Sequence, residues 1–504
     1  MPDRRLEGVA DALEASALHG GKLGLRAGLG AVAVNALSLG VGASAGREGP
    51  VVHLGVALSA AVARALNLGA TLSQTLLGCS VAAAIAASFN APIAGVFFAL
   101  EVVIGHYAIS TFAPVVIASV IGTIVSRIYF GDFSAFIVLD HTIASFLEFP
   151  AFALLGIACT ILAILFIRSI GIVEKTVERA SVPPVLRPAA GGFVVGLIIL
   201  VFPQVFGTGY NATNAALHGN LALTLLLALI AAKFIASAVS IGCGFGSGVF
   251  SPSLFLGAML GGAWGIIATI PFPELSSGRE AYAIVGMGAV AGAVLGAPKA
   301  TIMVIFELTG DYALTIAVMI ATVIASLIVH HGFGFSFFAW QLDQRGLDVK
   351  GGREQQALRS ISIQGVMRKD YVAAERTEKL SSLRERLKTA PLGQLCVIDG
   401  AGVLHGIIEL QDLGDLAFDT SRDEELTACD ITSRLPPLLE AKDTLDTALR
   451  LMETEREETI VVVDVLESMT LLGYARHLDV MTTYNDALTE LYRTGVASTR
   501  SPKH

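Results

Sequence analysis

Apolar residues dominate the first two thirds of this chain in long runs, and polar residues enter there mainly as short breaks containing Gly or Pro. The runs predict helices at about 27–45, 50–67, 71–88, 93–106, 112–129, 150–173, 188–202, 221–240, 250–269, 280–295, 298–309, 313–331 and 333–344. Many approach the roughly 20 apolar residues that a bilayer crossing needs. Others, such as 298–309, are too short to cross alone. Helices that stop part-way are tolerated in a membrane only where protein or a cavity surrounds their ends. From about residue 346 onward the pattern becomes that of a soluble α/β region, with Arg, Asp and Glu at ordinary density.

Both regions contain internal echoes. Gly46-Arg47-Glu48-Gly49-Pro50 opens one predicted helix, and Gly246-Ser247-Gly248-Val249-Phe250-Ser251-Pro252 opens another in the second half. Asn90-Ala91-Pro92 and Gly296-Ala297-Pro298 each start a helix with a glutamate nine residues after the proline, Glu101 and Glu307. Corresponding broken helices in two halves point to a transporter built from inverted repeats. The polar region repeats as well. Its segments 360–416 and 429–485 each pass through a helix, an apolar strand and a Gly-led strand before reaching an Asp at a helix start, Asp412 and Asp479.

Composition narrows the function classes. Of 504 residues only 15% are charged and 54% are hydrophobic. A net charge of −9 speaks against a nucleic-acid partner. The five cysteines have neither paired nor metal-ligand spacing. The first twenty residues are polar and helix-prone, unlike a secretory signal. No nucleophile–base set or metal motif stands in the apolar region, so an enzyme is not expected.

The chemistry concentrates at residues 42–50, where Arg47 and Glu48 sit between apolar runs. Ionisable groups at membrane depth are costly and mark functional sites. Glycines let the backbone approach a ligand, and Pro50 suits a first helical turn. A helix N-terminus, with about half a unit of positive charge, attracts an anion. The reading is an anion pathway with an acidic gate, Glu48.

Taken together, GREGP, FNAPIAG, GSGVFSP and GMGAVAGAVLGAPKATIMVIFELTGDY resemble, in order, the CLC family of chloride channels and proton-coupled chloride antiporters. The polar region is similar to a tandem pair of CBS domains. The resemblance implies an all-α polytopic membrane protein, a CLC-like inverted repeat with broken helices, plus an α/β CBS pair. Its domains would be 1–345 for transport, 346–359 as linker, 360–416 and 429–485 as CBS units, and 486–504 as a polar tail. Glu48 matches the family's gating glutamate, which would also carry protons. Gly46, Arg47, Gly49, Gly248, Val249, Phe250 and Phe338 match its anion-binding positions, and Glu101 lies on a candidate proton path. The resemblance also implies a homodimer in a lipid bilayer, with no cofactor required and chloride as the transported ion. Asp412, Asp479 and Arg476 are the candidate contacts for an adenine nucleotide.

Four departures from the family shape the expectation. Glu7 stands where the first ion-site loop carries a Ser, and Phe338 replaces a Tyr near the last helix. Val102 occupies the position of the antiporters' internal glutamate. The helices that precede the first loop in the family are missing before Met1, so a truncated or mis-assigned start is expected, or an unusual edge. Val102 tips the expectation towards channel-like chloride conduction. Chloride/proton antiport is the alternative, and a membrane-anchored CBS sensor without transport is a further one. A CBS-linked magnesium transporter would need oxygen clusters in the membrane, whereas these loops offer backbone amides. Pro50 favours chloride over fluoride. The regulatory tail implies a cytoplasmic C-terminus, and the compact build points to a bacterial inner membrane.

Overall fold

The computed structural model describes residues 8–17, 23–132, 136, 143–180, 182–271, 273–334, 336–345, 347, 358, 361–390, 393–418, 420–432 and 435–496. They form two compact units that divide at residue 350. Glu7, nearly all of the 346–359 linker and the end of the polar tail lie outside the described residues.

The first unit is all helical: α1 Val9–Ala17, α2 Leu25–Gly40, α3 Glu48–Ala65, α4 Ala70–Phe89, α5 Pro92–Phe98, α6 Ile109–Phe130, α7 Phe149–Arg179, α8 Arg187–Val201, α9 Tyr210–Leu217, α10 Leu223–Gly242, α11 Phe250–Thr269, α12 Gly278–Leu295, α13 Pro298–Thr309, α14 Tyr312–Gly332 and α15 Phe337–Gln344. Six helical stretches among the described residues are long and apolar enough to cross a membrane. On α6, Ile117, Ile121 and Ile128 point outward and are more than half exposed, as lipid-facing or partner-facing side chains would be.

Glycines set the closest packing, where α11 crosses α12. A Cβ on Gly257 would lie 2.3 Å from the carbonyl oxygen of Gly286, and one on Gly261 would lie 2.0 Å from that of Tyr282. Small residues four apart bring the helix backbones together, the main source of attraction where lipid supplies no hydrophobic drive. The Gly257–Gly261 stripe is therefore a packing surface.

The internal repeat is written into the backbone. α2 and α10 end alike, with Val41 at φ −88°, ψ 3° and Cys243 at φ −86°, ψ 2°. A left-handed glycine follows each, Gly42 at φ +104° and Gly244 at φ +86°. α4 ends on Asn90 at φ +58° and α12 on Gly296 at φ +67°, and each is followed by an Ala-Pro helix start. Asn and Gly are the residues that take this conformation at least cost.

The helix predicted at 27–45 stops at Gly40 instead. The positive φ of Gly42 ends it, and the next five residues serve as the loop into α3. The last predicted helix begins at Phe337 rather than 333, where the Ser336 side chain accepts from the Ala339 amide as N-cap. α1 and α9 were not predicted from apolar runs, because both are short and mixed in composition.

The second unit holds two three-stranded sheets of one topology. β1 Ala373–Glu375 pairs parallel with β2 Gln394–Ile398, which pairs antiparallel with β3 Leu404–Glu409. β4 Leu438–Glu440, β5 Thr459–Val463 and β6 Leu471–Arg476 repeat that order. Even the register irregularity recurs, at Val397/Ile398 and at Val462/Val463. The halves share a core of Cys396, Leu404, Ile407, Val461, Val463 and Leu471.

Candidate functional site

The two glycine loops meet. Gly46 N–H donates to the Gly248 carbonyl at 2.8 Å, and Gly248 N–H returns a bond to Gly46 at 3.0 Å. This reciprocal bridge sets the N-termini of α3 and α11 side by side, with Arg47 and Val249 as their equivalent N-caps. Asn35 on α2 pins both loops, donating to the carbonyls of Gly246 at 2.7 Å and Gly46 at 3.3 Å. Gly49 packs on Gly248, and Gly8, just before α1, lies beside Gly49. The first-loop segment at Gly8 thus joins the same cluster.

Glu48 is the first residue of α3, yet its carboxylate folds back over Gly46 towards the start of α11. A Cβ on Gly46 would lie 2.5 Å from Glu48 Oε2 and 3.2 Å from the Ser251 backbone nitrogen. Only glycine leaves room for this conformation. Glu48 is 1% exposed. Its Oε1 accepts from Ser251 Oγ at 2.6 Å and from Tyr210 OH at 3.0 Å, while Oε2 has no hydrogen-bond partner among the described residues. Arg47 is solvent-exposed, donates to the Ser88 carbonyl at 3.4 Å and places its guanidinium 5.6 Å from the centre of the Tyr210 ring. Phe250 is buried against Phe89 and Phe98, with ring centres 4.7 and 5.9 Å away.

Gly46, Arg47, Glu48, Gly49, Gly248, Val249 and Phe250 therefore form one cluster. Phe338 is buried on α15 against Phe337, and no ring contact or hydrogen bond joins it to Glu48 among the described residues.

Glu101 lies at another place, where two helices hold each other. Its two oxygens accept from the amides of Lys299 and Ala300, the start of α13. Glu307, on α13, accepts from the amides of Ile93 and Ala94, the start of α5. The exchange is reciprocal, as a local twofold requires. Each carboxylate satisfies orphan N–H groups at a positive helix end.

Three contributors escaped the sequence reading. Tyr210 opens the short helix α9, Ser251 follows Phe250 in the quoted motif, and Lys233 sits inside α10. Lys233 is 0% exposed, a signal the sequence did carry as a lone cation inside an apolar run.

In the second unit, Asp412 takes part in a capping box, accepting from the Glu409 amide at 2.7 Å. Asp479 is held by Arg476 at 2.7 and 2.9 Å and by Arg368 at 2.9 and 3.3 Å. Hydrogen bonds from Arg476 and then Arg368 hold its carboxyl down at about 2. The three nucleotide candidates thus sit at two helix starts, and in the second the Arg and Asp satisfy each other.

A bundle of membrane-crossing and half-length helices, with paired N-termini around a buried carboxylate, defines a multi-pass membrane protein of repeat build. The family model for voltage gated chloride channels matches residues 1–330, and that for the CBS domain matches 363–416. The chain belongs to the CLC family of chloride channels and transporters, and is not an enzyme. It is 33% identical over 328 residues to a ClcB-like protein of Ralstonia nicotianae, covering 64% of this chain and 76% of the relative. It is 30% identical over 327 residues to the H(+)/Cl(−) exchange transporter ClcA of Cronobacter sakazakii, covering 64% and 70%. Its fold is like that of a slow cyanobacterial Cl−/H+ antiporter, with a TM-score of 0.62 at 23% identity over 68% of this chain and 82% of that one.

Proposed function

We propose that the protein passes chloride across a membrane through a pathway closed by the Glu48 carboxylate, with Gly46, Arg47, Gly49, Gly248, Val249 and Phe250 shaping the anion site. The observation that carries this reading is Glu48 itself: a buried carboxylate at the start of α11, held by two hydroxyls on one oxygen. Chloride seeks the same donors and the same positive helix end, so the two anions are rivals for one place. A proton on the unpartnered Oε2 breaks no hydrogen bond and removes the charge that holds the side chain at the helix end. The neutral side chain then leaves and chloride enters.

Channel-like conduction is the leading form. Val102 offers no proton acceptor, and both oxygens of Glu101 are occupied by helix amides. Antiport is the second reading, favoured by Oε2 as a proton acceptor that makes no hydrogen bond among the described residues. Phe338 then serves as packing behind the pathway. The working protein is a homodimer in the bacterial inner membrane, with the two CBS-like units 360–416 and 429–485 regulating from the cytoplasm and an adenine nucleotide as their candidate ligand.

The test is chloride efflux from liposomes with external pH recorded together, for wild type and Glu48→Ala. Efflux without proton movement supports the channel form. Efflux with proton uptake, lost in the mutant, supports antiport. Equal pH-dependent efflux from both proteins rules out Glu48 as the gate, and absence of efflux from folded wild type favours the sensor.

A further inference from the structure

Lys233 is a buried cation that the gating scheme does not use. It lies at the middle of α10 with no exposure. Its ammonium donates to the carbonyls of Gly207 at 2.7 Å and Val205 at 3.3 Å, and sits 5.1 Å from the centre of the Phe255 ring. No carboxylate is within ion-pair distance of it among the described residues, and its hydrogen bonds go to neutral carbonyls alone. Two carbonyls and a ring only partly replace the hydration of an ammonium, which costs several kcal/mol to bury.

The surroundings join it to the gate. Lys233, Ser237 and Ser240 share one face of α10 at helical spacing. Ser44, in the loop leading to Glu48, donates its hydroxyl to the Val205 carbonyl at 2.8 Å, and its amide donates to Ser240 Oγ at 3.1 Å. The carbonyls that Lys233 holds belong to residues 205–207, which lead into Tyr210, the donor to Glu48 Oε1. Gly209 in that stretch touches the Phe255 ring: a Cβ there would lie 2.7 Å from it. The lysine therefore stands behind the hydroxyl that holds the gate, in the same packed layer.

We propose that Lys233 is the fixed cation for which the Glu48 carboxylate and the transported chloride compete. This rests on the gating role of Glu48 proposed above. With Glu48 ionised and seated, the buried charges balance. When Glu48 takes a proton and leaves, Lys233 is left uncompensated and draws chloride into the vacated place. The site then stays near neutrality through both states, which a low-dielectric interior strongly favours. The other charged and titratable groups around Glu48 are Arg47, exposed and stacked on Tyr210, and Tyr210 itself. Further along α3, His53 faces Asp11 at 3.8 Å, and Asp11 is in turn bound by Arg345. None of these is a fully buried cation.

The alternative role is mechanical: Lys233 pins the 205–209 loop and its charge is incidental. Lys233→Gln separates the two, because the amide keeps donors for the carbonyls and removes the charge. Chloride efflux from liposomes is measured against chloride concentration and pH, with assembly checked by size exclusion. In Lys233→Gln the half-saturating chloride concentration is expected to rise roughly tenfold. The acid-activated limb is expected to move up by roughly one pH unit, since a neighbouring cation opposes carboxylate protonation. In Glu48→Gln/Lys233→Gln the pH shift disappears and the chloride effect remains. Lys233→Arg keeps both wild-type profiles. Wild-type chloride and pH profiles in Lys233→Gln, at any rate, overturn the proposal. If Lys233→Gln does not assemble, Lys233→Met is read by the same two criteria against Ser44→Ala, which loosens the Val205 carbonyl without removing a charge and is expected to keep both wild-type profiles. A Glu48→Gln protein with the wild-type pH profile instead defeats the gate, while the chloride effect of Lys233→Gln still decides the cation.

Discussion

Two carboxylate arrangements in the first unit use the same physics and reach opposite ends. Glu101 and Glu307 each place both oxygens on backbone amides at the start of the other's helix. Glu48 also sits at a helix start, but it is held through side-chain hydroxyls on one oxygen, and the second has no partner among the described residues. Backbone amides cannot turn away, and losing them leaves orphan donors at a helix end. Hydroxyls can rotate to serve an incoming anion. The difference separates a rivet from a gate, and it lies in the donors rather than in the acid.

The sharpest way to break this comparison is to remove the space the gate occupies. Gly46→Ala puts a methyl 2.5 Å from Glu48 Oε2 and 3.0 Å from the Gly248 carbonyl, so the carboxylate cannot fold back. Its chloride efflux is expected to lose pH dependence as fully as that of Glu48→Gln, in the same liposome assay. A Gly46→Ala protein that folds and keeps an intact acid-activated limb shows that Glu48 closes the pathway from elsewhere.

The rivets are next in size. Glu101→Ala and Glu307→Ala each remove an anion from two amides at a positive helix end, and each is expected to cost about 2 kcal/mol. Thermal unfolding in detergent should show similar drops for both, with the pH profile of efflux retained in the survivors. If Glu101→Ala instead keeps its stability and changes proton movement, then Glu101 belongs with Glu48 on the proton path, and the symmetry between the two rivets is only geometric.

The legibility of these sites follows from which signals are local. The glycine frame around Glu48 was readable because a close backbone approach needs Gly wherever it occurs, and Gly46, Gly49 and Gly248 prove to lie within one small cluster. The echo of Asn90-Ala91-Pro92 with Gly296-Ala297-Pro298 was readable because left-handed caps and proline starts are local preferences. The crossing partners were not. Nothing near Glu101 names the amides of Lys299 and Ala300, which lie 198 and 199 residues further along the chain. Tyr210 and Ser251 reach Glu48 across separations of 162 and 203. Helix α9 was missed because its eight residues, broken by Asn211, Thr213 and Asn214, carry no long apolar run. Lys233 stood in plain view, but a lone lysine in an apolar helix does not say which charge it answers.

The hydroxyls give the finest division of the gate. Ser251 Oγ lies 2.6 Å from Glu48 Oε1 and is buried, whereas Tyr210 OH stands at 3.0 Å and is also 3.4 Å from Ser251 Oγ. A hydrogen bond to a charged acceptor contributes roughly 1.5–3 kcal/mol net, less when a second donor remains. Tyr210→Phe leaves Ser251 in place and keeps the ring that meets Phe136 edge-on at 4.9 Å and lies under the Arg47 guanidinium. It is therefore expected to weaken the closed state by about 1 kcal/mol, a several-fold rise in efflux at neutral pH. Ser251→Ala should give the larger rise of the two, and the double variant more than either. If Tyr210→Phe has the greater effect, the phenol rather than the serine holds the gate, and the short helix α9 takes part in opening. Gating would then draw on the 205–209 loop that Lys233 holds, so the order of the two hydroxyl effects also tells how far the moving part of the site extends from α11.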